Sequence, residues 1–200
     1  MTLVLWVCIV GALLELDTTY AFQLTFSRGI IAGPLLSLIT GDLMAGLQIG
    51  IFTELLFIDI NPLGGFLPPS SAVCCTLSMA LCSMGIPVYF AFFFGVIGAI
   101  LFSTCEVVVR KHRSVWMIRQ EHLILQKPSR LTGVVLKALF LSFSMTLAFV
   151  LFFSATVGSA FVKVLPFLPE KLYLASKFAY MAVPWIGLAT LVSTFRLKAR

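Results

Sequence analysis

Charge is what this sequence has least of: 11% of its 200 residues are Asp, Glu, Lys or Arg, while 60% are hydrophobic. An ordinary soluble domain carries roughly 25% charged and about 45–50% apolar residues. A soluble chain this apolar has too little polar surface to cover its own core, which excludes a soluble globular domain. In lipid the requirement inverts, since outward positions should be apolar and only the backbone must pair internally. The polar and apolar alternation of barrel strands is missing too. The expected class is therefore an all-α integral membrane protein.

Other scarcities exclude chemistry. The two histidines, His112 and His122, both lie in a basic segment and read as solvated loop residues. Five cysteines, Cys8, Cys74, Cys75, Cys82 and Cys105, fall inside apolar stretches without ligand spacing, as unpaired thiols acting as small hydrophobes. There is no serine nucleophile elbow, no His/Glu metal pair and no pair of aspartates at lipid-synthase spacing, so no catalytic residue, metal or cofactor is expected. No Lys or Arg precedes the apolar run from Met1 to Leu14 and no small-residue cleavage site precedes Glu15. That run is expected to be the first membrane segment and not a cleaved signal peptide. The net charge of +6 sits in membrane-flanking segments, which argues for orientation signals and against a nucleic-acid partner.

What is present is a series of apolar segments, about 5–7 of them transmembrane or re-entrant. Ile86–Val109, Leu136–Leu165 and Leu172–Phe195 reach the roughly 20 residues that a simple span needs. Leu3–Leu16, Gly29–Thr40, Leu43–Ile60 and Pro69–Gly85 are shorter and interrupted by Gly, Pro, Asp or Glu. Some of these are expected to be broken or re-entrant helices, since irregular backbone at membrane depth survives only where protein or a water-filled cavity satisfies it, the alternative being tilted or interfacial helices joined by ordinary turns. Residues 1–109 form a membrane region holding the candidate substrate segment 28–72, residues 110–133 a basic loop, and residues 134–200 a two-helix membrane region.

Arg110, Lys111, Arg113, Arg119, Lys127 and Arg130 share that loop with a single acid, Glu121, which predicts a cytoplasmic location. Two further spans then return Arg196, Lys198 and Arg200, and the C-terminus, to the cytoplasm. Within the loop, Val115 to Leu125 reads either as an interfacial amphipathic stretch carrying Trp116, Ile118 and Leu123 or as a dock for a soluble partner.

The chemistry concentrates between Arg28 and Ala72. Asp42, Gly46, Gly50 and Glu54 repeat every four residues, which on a helix makes a stripe of two small residues flanked by two acids. The glycines permit close backbone approach. An intramembrane carboxylate costs at least about 2.5–3.5 kcal/mol on insertion scales, so Glu54 should face a bundle interior, a partner or a solute path. Asp42, after Thr40-Gly41, reads as a helix cap. Arg28 either snorkels to the interface or pairs with an intramembrane acid. Asp59 and Asn61 follow, in a stretch whose Pro62, Gly64, Gly65, Pro68 and Pro69 forbid a continuous helix. Acid, amide and freed backbone groups then converge near Glu54. That suits a polyhydroxyl solute, and equally a proton or sodium site.

The ordered set Gly41, Asp42, Gly46, Gly50, Glu54, Leu55, Gly64, Pro68 and Pro69, with Arg28 upstream, resembles the IIC membrane component of the mannose/fructose/sorbose family of the sugar phosphotransferase system. The resemblance covers roughly residues 20–85; where the family pattern commonly continues with an acid after Pro-Pro, this chain has Ser70-Ser71. It implies a multi-pass protein of a bacterial cytoplasmic (inner) membrane that imports a hexose beside a IID-like membrane subunit. Cytoplasmic IIA and IIB proteins would phosphorylate the sugar at the expense of phosphoenolpyruvate, leaving this chain a transport subunit and not an enzyme. It further implies an elevator-like movement and a homo-oligomer of IIC/IID pairs in the lipid bilayer. Glu54, Asp59 and Asn61 would bond sugar hydroxyls, with Arg28, Asp42, Gly46, Gly50, Gly64, Pro68 and Pro69 structural or gating. The alternatives are an ion-coupled secondary transporter using Glu54 or Asp59, and a non-transporting scaffold or sensor derived from a IIC subunit.

Overall fold

The computed structural model describes residues 2–19, 24–58, 60, 67–126 and 131–198, and every regular element among them is helical. In chain order these are α1 (Thr2–Thr19), α2 (Gly29–Thr40), α3 (Leu43–Phe57), α4 (Ser71–Ser83), α5 (Val88–Gln126) and α6 (Leu131–Phe153). A π-helical turn (Ser154–Gly158) joins α6 to α7 (Ser159–Val164), and α8 (Glu170–Lys198) ends the described chain. Three stretches are long and apolar enough to cross a bilayer: Val88–Ile118, Leu131–Phe167 and Glu170–Ser193. The chain is an all-α membrane protein.

The expected broken first half takes the form of three short apolar helices. α2, α3 and α4 contain 12, 15 and 13 residues, hence about 18–23 Å at 1.5 Å per residue, short of the roughly 30 Å hydrocarbon core. α2 and α3 form a tight hairpin. Gly41 ends α2 in the left-handed conformation (φ 81°), its N–H donating to the Ser37 carbonyl at 2.8 Å, a turn that only glycine makes without strain. Asp42 starts α3 at once as its N-cap, accepting the Ala45 N–H at 3.0 Å.

The hairpin closes because small residues face each other. A Cβ on Gly33 would collide with the Gly46 carbonyl, and one on Gly50 with the Gly29 carbonyl. The stripe of Gly46 and Gly50 thus meets a second stripe, Gly29 and Gly33, on α2, and backbone lies directly on backbone.

α4 fills the centre. Every residue from Ala72 to Leu81 is buried, so the helix has no polar face to turn outward, as a helix surrounded by others requires. It packs against α1, α2, α3, α5 and α6. Gly95 and Gly98 of α5 abut Ser78 and Leu77. The cysteines behave as unpaired thiols: Cys8, Cys74 and Cys75 are buried, although Cys82 is only half-buried and Cys105 exposed.

The expected loop at 110–133 is not a loop along its first 17 residues. α5 continues unbroken to Gln126, because nothing between Gly98 and Pro128 interrupts it and Arg, Lys, Glu, Gln and Leu are good helix formers. At 39 residues it is about 58 Å long, so its basic end projects past any bilayer its apolar part spans. Arg113 ties this extension to α6, donating to Ser142 Oγ at 2.7 Å.

α8 lies against the hairpin. Gly187 admits Leu55, and Tyr180 packs on Phe52 and Phe92 with ring centroids 4.7 and 5.3 Å apart. The Tyr180 hydroxyl is buried with no hydrogen-bond partner among the described residues. The outer faces of α6 and α8 carry Phe140, Phe152, Trp185 and Phe195, each about 70% exposed. Such surfaces belong against lipid or another membrane chain.

The thermal stabilities of three variants in detergent check this packing. Gly33→Val should lose about 1–3 kcal/mol by overpacking, whereas Gly133→Ala, where a Cβ meets nothing within 4 Å, should change stability by less than about 1 kcal/mol. Tyr180→Phe should stabilise by about 1–2 kcal/mol, because it removes a buried hydroxyl that has no partner.

Candidate functional site

A helix that begins inside a membrane presents N–H groups that lipid cannot satisfy, and they must find acceptors. α2 begins at Gly29 beside the end of α3. Its first N–H donates to Glu54 Oε1 at 2.6 Å, while Glu54 Oε2 lies 3.5 Å from an Arg28 guanidinium nitrogen. One carboxylate therefore caps one helix and pairs with one cation. Arg28 is the only Lys or Arg before Arg110.

Two further carboxylates serve neighbouring backbone. Asp17, buried near the end of α1, accepts the Leu24 N–H at 2.8 Å and the Ser27 N–H at 3.4 Å, fixing the turn that leads into α2. In that turn Thr25 holds φ at 67°, a conformation disfavoured for a β-branched residue and characteristic of over-determined sites. Ser70 caps α4 by accepting the Val73 N–H at 3.3 Å, and its hydroxyl donates to buried Glu15 of α1. On α5, Glu106 accepts from Arg110 Nε at 3.0 Å and Nη2 at 2.7 Å.

These groups surround one cavity of about 710 Å³, within the range of small-molecule sites. Its walls carry Glu15, Asp17, Arg28, Glu54, Ser70, Glu106 and Arg110, together with Phe57, Leu67, Pro68 and Pro69. Four helices, α1, α3, α4 and α5, contribute together with the segments before α2 and before α4. The cavity lies beside Glu106 and Arg110, where the apolar part of α5 gives way to its basic part, and α2 and α4 both start at its wall. It offers carboxylate acceptors, guanidinium and hydroxyl donors and apolar patches on the walls of one space, which is what a solute with many hydroxyls needs.

Of the residues singled out from sequence, Glu54, Arg28, Pro68 and Pro69 line this cavity. Arg28 pairs with Glu54 while its side chain stays 66% exposed, so the structure is compatible with both readings left open for it. Asp42 is a cap, while Gly46 and Gly50 pack the hairpin away from the cavity walls. Asp59, Asn61 and Gly64 lie outside the described residues. Glu15, Asp17, Ser70, Glu106 and Arg110 were not singled out as site residues. The reasoning applied to Glu54 finds Glu15 and Glu106, each an acid between apolar neighbours in an expected membrane segment and each buried, whereas Asp17, also buried, lies just past Leu3–Leu16 and beside Thr18.

A family model described as PTS system sorbose-specific IIC component matches residues 1–199 of the chain. No curated protein matches it.

Glu54 substitutions separate its two tasks. Glu54→Gln keeps a carbonyl oxygen for the Gly29 N–H and loses only the ion pair, so it should lower thermal stability in detergent by about 1 kcal/mol or less. Glu54→Ala strands a buried N–H and should cost about 1–3 kcal/mol. Equal losses for the two variants would mean that the cap contributes nothing.

Proposed function

The chain belongs to the sorbose-specific IIC family and is thereby a membrane component of phosphotransferase sugar transport; on that premise we propose that it imports a hexose through the cavity lined by Glu54, the sugar being phosphorylated on partner proteins. The observation that carries this reading is the cavity itself, with acceptors and donors gathered where short helices begin within the membrane region. A hexose bound there exchanges its water contacts for Glu54, Arg28 and Ser70, and Asp59 and Asn61 are the further candidates in the adjoining segment. Nothing in this role requires a covalent step on the chain.

The positive-inside rule puts the basic end of α5, the C-terminus and the mouth of the cavity on the cytoplasmic side. Sugar then leaves on the side where cytoplasmic IIA and IIB proteins act. The exposed apolar faces of α6 and α8 suit a IID-like membrane subunit or a further IIC/IID pair, and the bacterial inner membrane is the setting this implies. In an elevator-like movement the α2–α3 hairpin would travel as the cargo-bearing block, since the Glu54–Gly29 bond and the glycine contacts hold its two arms together.

Uptake of labelled hexoses into cells expressing the chain with its partner subunits tests the reading. Wild type should accumulate phosphorylated sugar only when the partners are present. Glu54→Gln, at unchanged membrane level, should lower uptake about tenfold or more, the scale of one hydrogen bond to a charged group. Partner-independent uptake of free sugar that an uncoupler abolishes would replace this mechanism with ion coupling.

A further inference from the structure

A serine hydroxyl has one proton to donate and two lone pairs with which to accept. At Ser70 the proton and one lone pair are both assigned. The Val73 N–H donates to Ser70 Oγ at 3.3 Å, and the Ser70 hydroxyl donates to Glu15 Oε2, 55 residues away in sequence on α1. The first bond caps α4 and leaves open where the proton goes; the second settles it. Glu15 is 6% exposed, with Thr18, Glu106 and Arg110 as further polar neighbours. Ser70 is half-buried and lines the cavity beside Pro68 and Pro69. What its hydroxyl keeps for a solute is the remaining lone pair, so at this wall Ser70 accepts and does not donate. Glu54 and Asp17 are used differently, since each accepts backbone N–H groups directly.

We propose that Glu15 is a positioning residue for the sugar: by drawing the Ser70 proton toward α1, it makes the start of α4 an acceptor for one sugar hydroxyl, which must then donate. The inference rests on the reading of the cavity as the sugar site. A serine hydroxyl with no such partner rotates to suit whatever meets it, and takes a donor or an acceptor alike. Held by Glu15, it reads only one of the two. A hydroxyl on the sugar can satisfy it, because a hydroxyl can donate. A carbon–fluorine bond in the same place cannot, and it sets fluorine lone pairs against the lone pair of Ser70. Glu15 thus acts on the sugar through Ser70, as a setting of hydrogen-bond direction at a wall whose backbone is already capped.

The test is competition binding on the purified complex of this chain with its partner subunits. Labelled D-glucose, D-mannose or D-fructose is displaced by the unlabelled sugar and by analogues with fluorine in place of one hydroxyl at a time. In wild type, fluorine at one position or more should weaken binding at least about tenfold, as in a site built around a donated hydroxyl. Glu15→Leu fills the same space between Leu14 and Leu16 and releases the Ser70 proton. The penalty at one of those positions should then shrink at least about fivefold, the scale of one hydrogen bond, while the penalties elsewhere hold within about twofold. Glu15→Gln, whose carbonyl still accepts the Ser70 proton, should keep the wild-type pattern. Glu15→Met serves if Glu15→Leu does not assemble. A pattern in Glu15→Leu that matches wild type at every position, or penalties that fall equally at all of them, overturns the positioning role and leaves Glu15 a cross-link between α1 and α4. So does a wild type that tolerates fluorine at every position. Absence of binding by every neutral hexose in wild type overturns the sugar site together with it.

Discussion

The arrangement rests on one constraint: a helix cannot begin inside a bilayer unless something other than water accepts its first N–H groups. α2 and α4 both begin at the wall of the cavity, and the acceptors they use come from other helices or are held by them. Glu54 reaches from α3 to the first N–H of α2, and Glu15 reaches from α1 to the serine that caps α4. An acid in the membrane is expensive and so is an unpaired N–H. Placed against each other, the two liabilities offset, and the carboxylate becomes a cross-link between helices far apart in sequence.

That cross-linking works only if the helices come close, which explains the glycines. Gly29 is at once the donor to Glu54 and a contact of the Gly50 carbonyl, where a side chain would push α2 away from α3. Local backbone choice, hairpin packing and the polar site are therefore one solution. The same closeness demands an apolar centre, which α4 supplies by being buried from Ala72 to Leu81.

The four-residue spacing of Asp42, Gly46, Gly50 and Glu54 was legible because it lies on one helix, where sequence distance and spatial distance agree. The glycine packing followed from it directly, and the Asp42 cap from its place after Thr40-Gly41. The partners of that stripe were not legible, since Gly29 and Gly33 sit on another helix and only the fold aligns the two. The cavity was half-legible for the same reason. Glu54 stood out in a patterned stretch, whereas Glu15, Asp17 and Glu106 read as isolated acids whose convergence is a tertiary fact. The basic segment after Val109 was read by its charges, which report sidedness, and not by its lack of Gly and Pro up to Pro128, which reports that α5 goes on.

A site built from structural cross-links has a consequence for movement. If the groups that bind a solute were separate from those that cap α2 and α4, the hairpin could shift while the solute stayed behind, or the caps could break when the solute left. Here Glu54 belongs to the hairpin it caps, and the Gly29 N–H it accepts lies on the other arm of that hairpin. Displacing the hairpin as a unit leaves this bond intact, and a solute held by Glu54 travels with it. The face turned to α8 is of another kind, with Phe52 against Tyr180 and Leu55 against Gly187. Aromatic and aliphatic contacts lose little on sliding, because dispersion is non-directional, while hydrogen bonds are lost steeply with angle. Polar bonds inside the hairpin and apolar contacts along this flank are what the proposed elevator-like movement would require of a block that keeps its N–H groups covered.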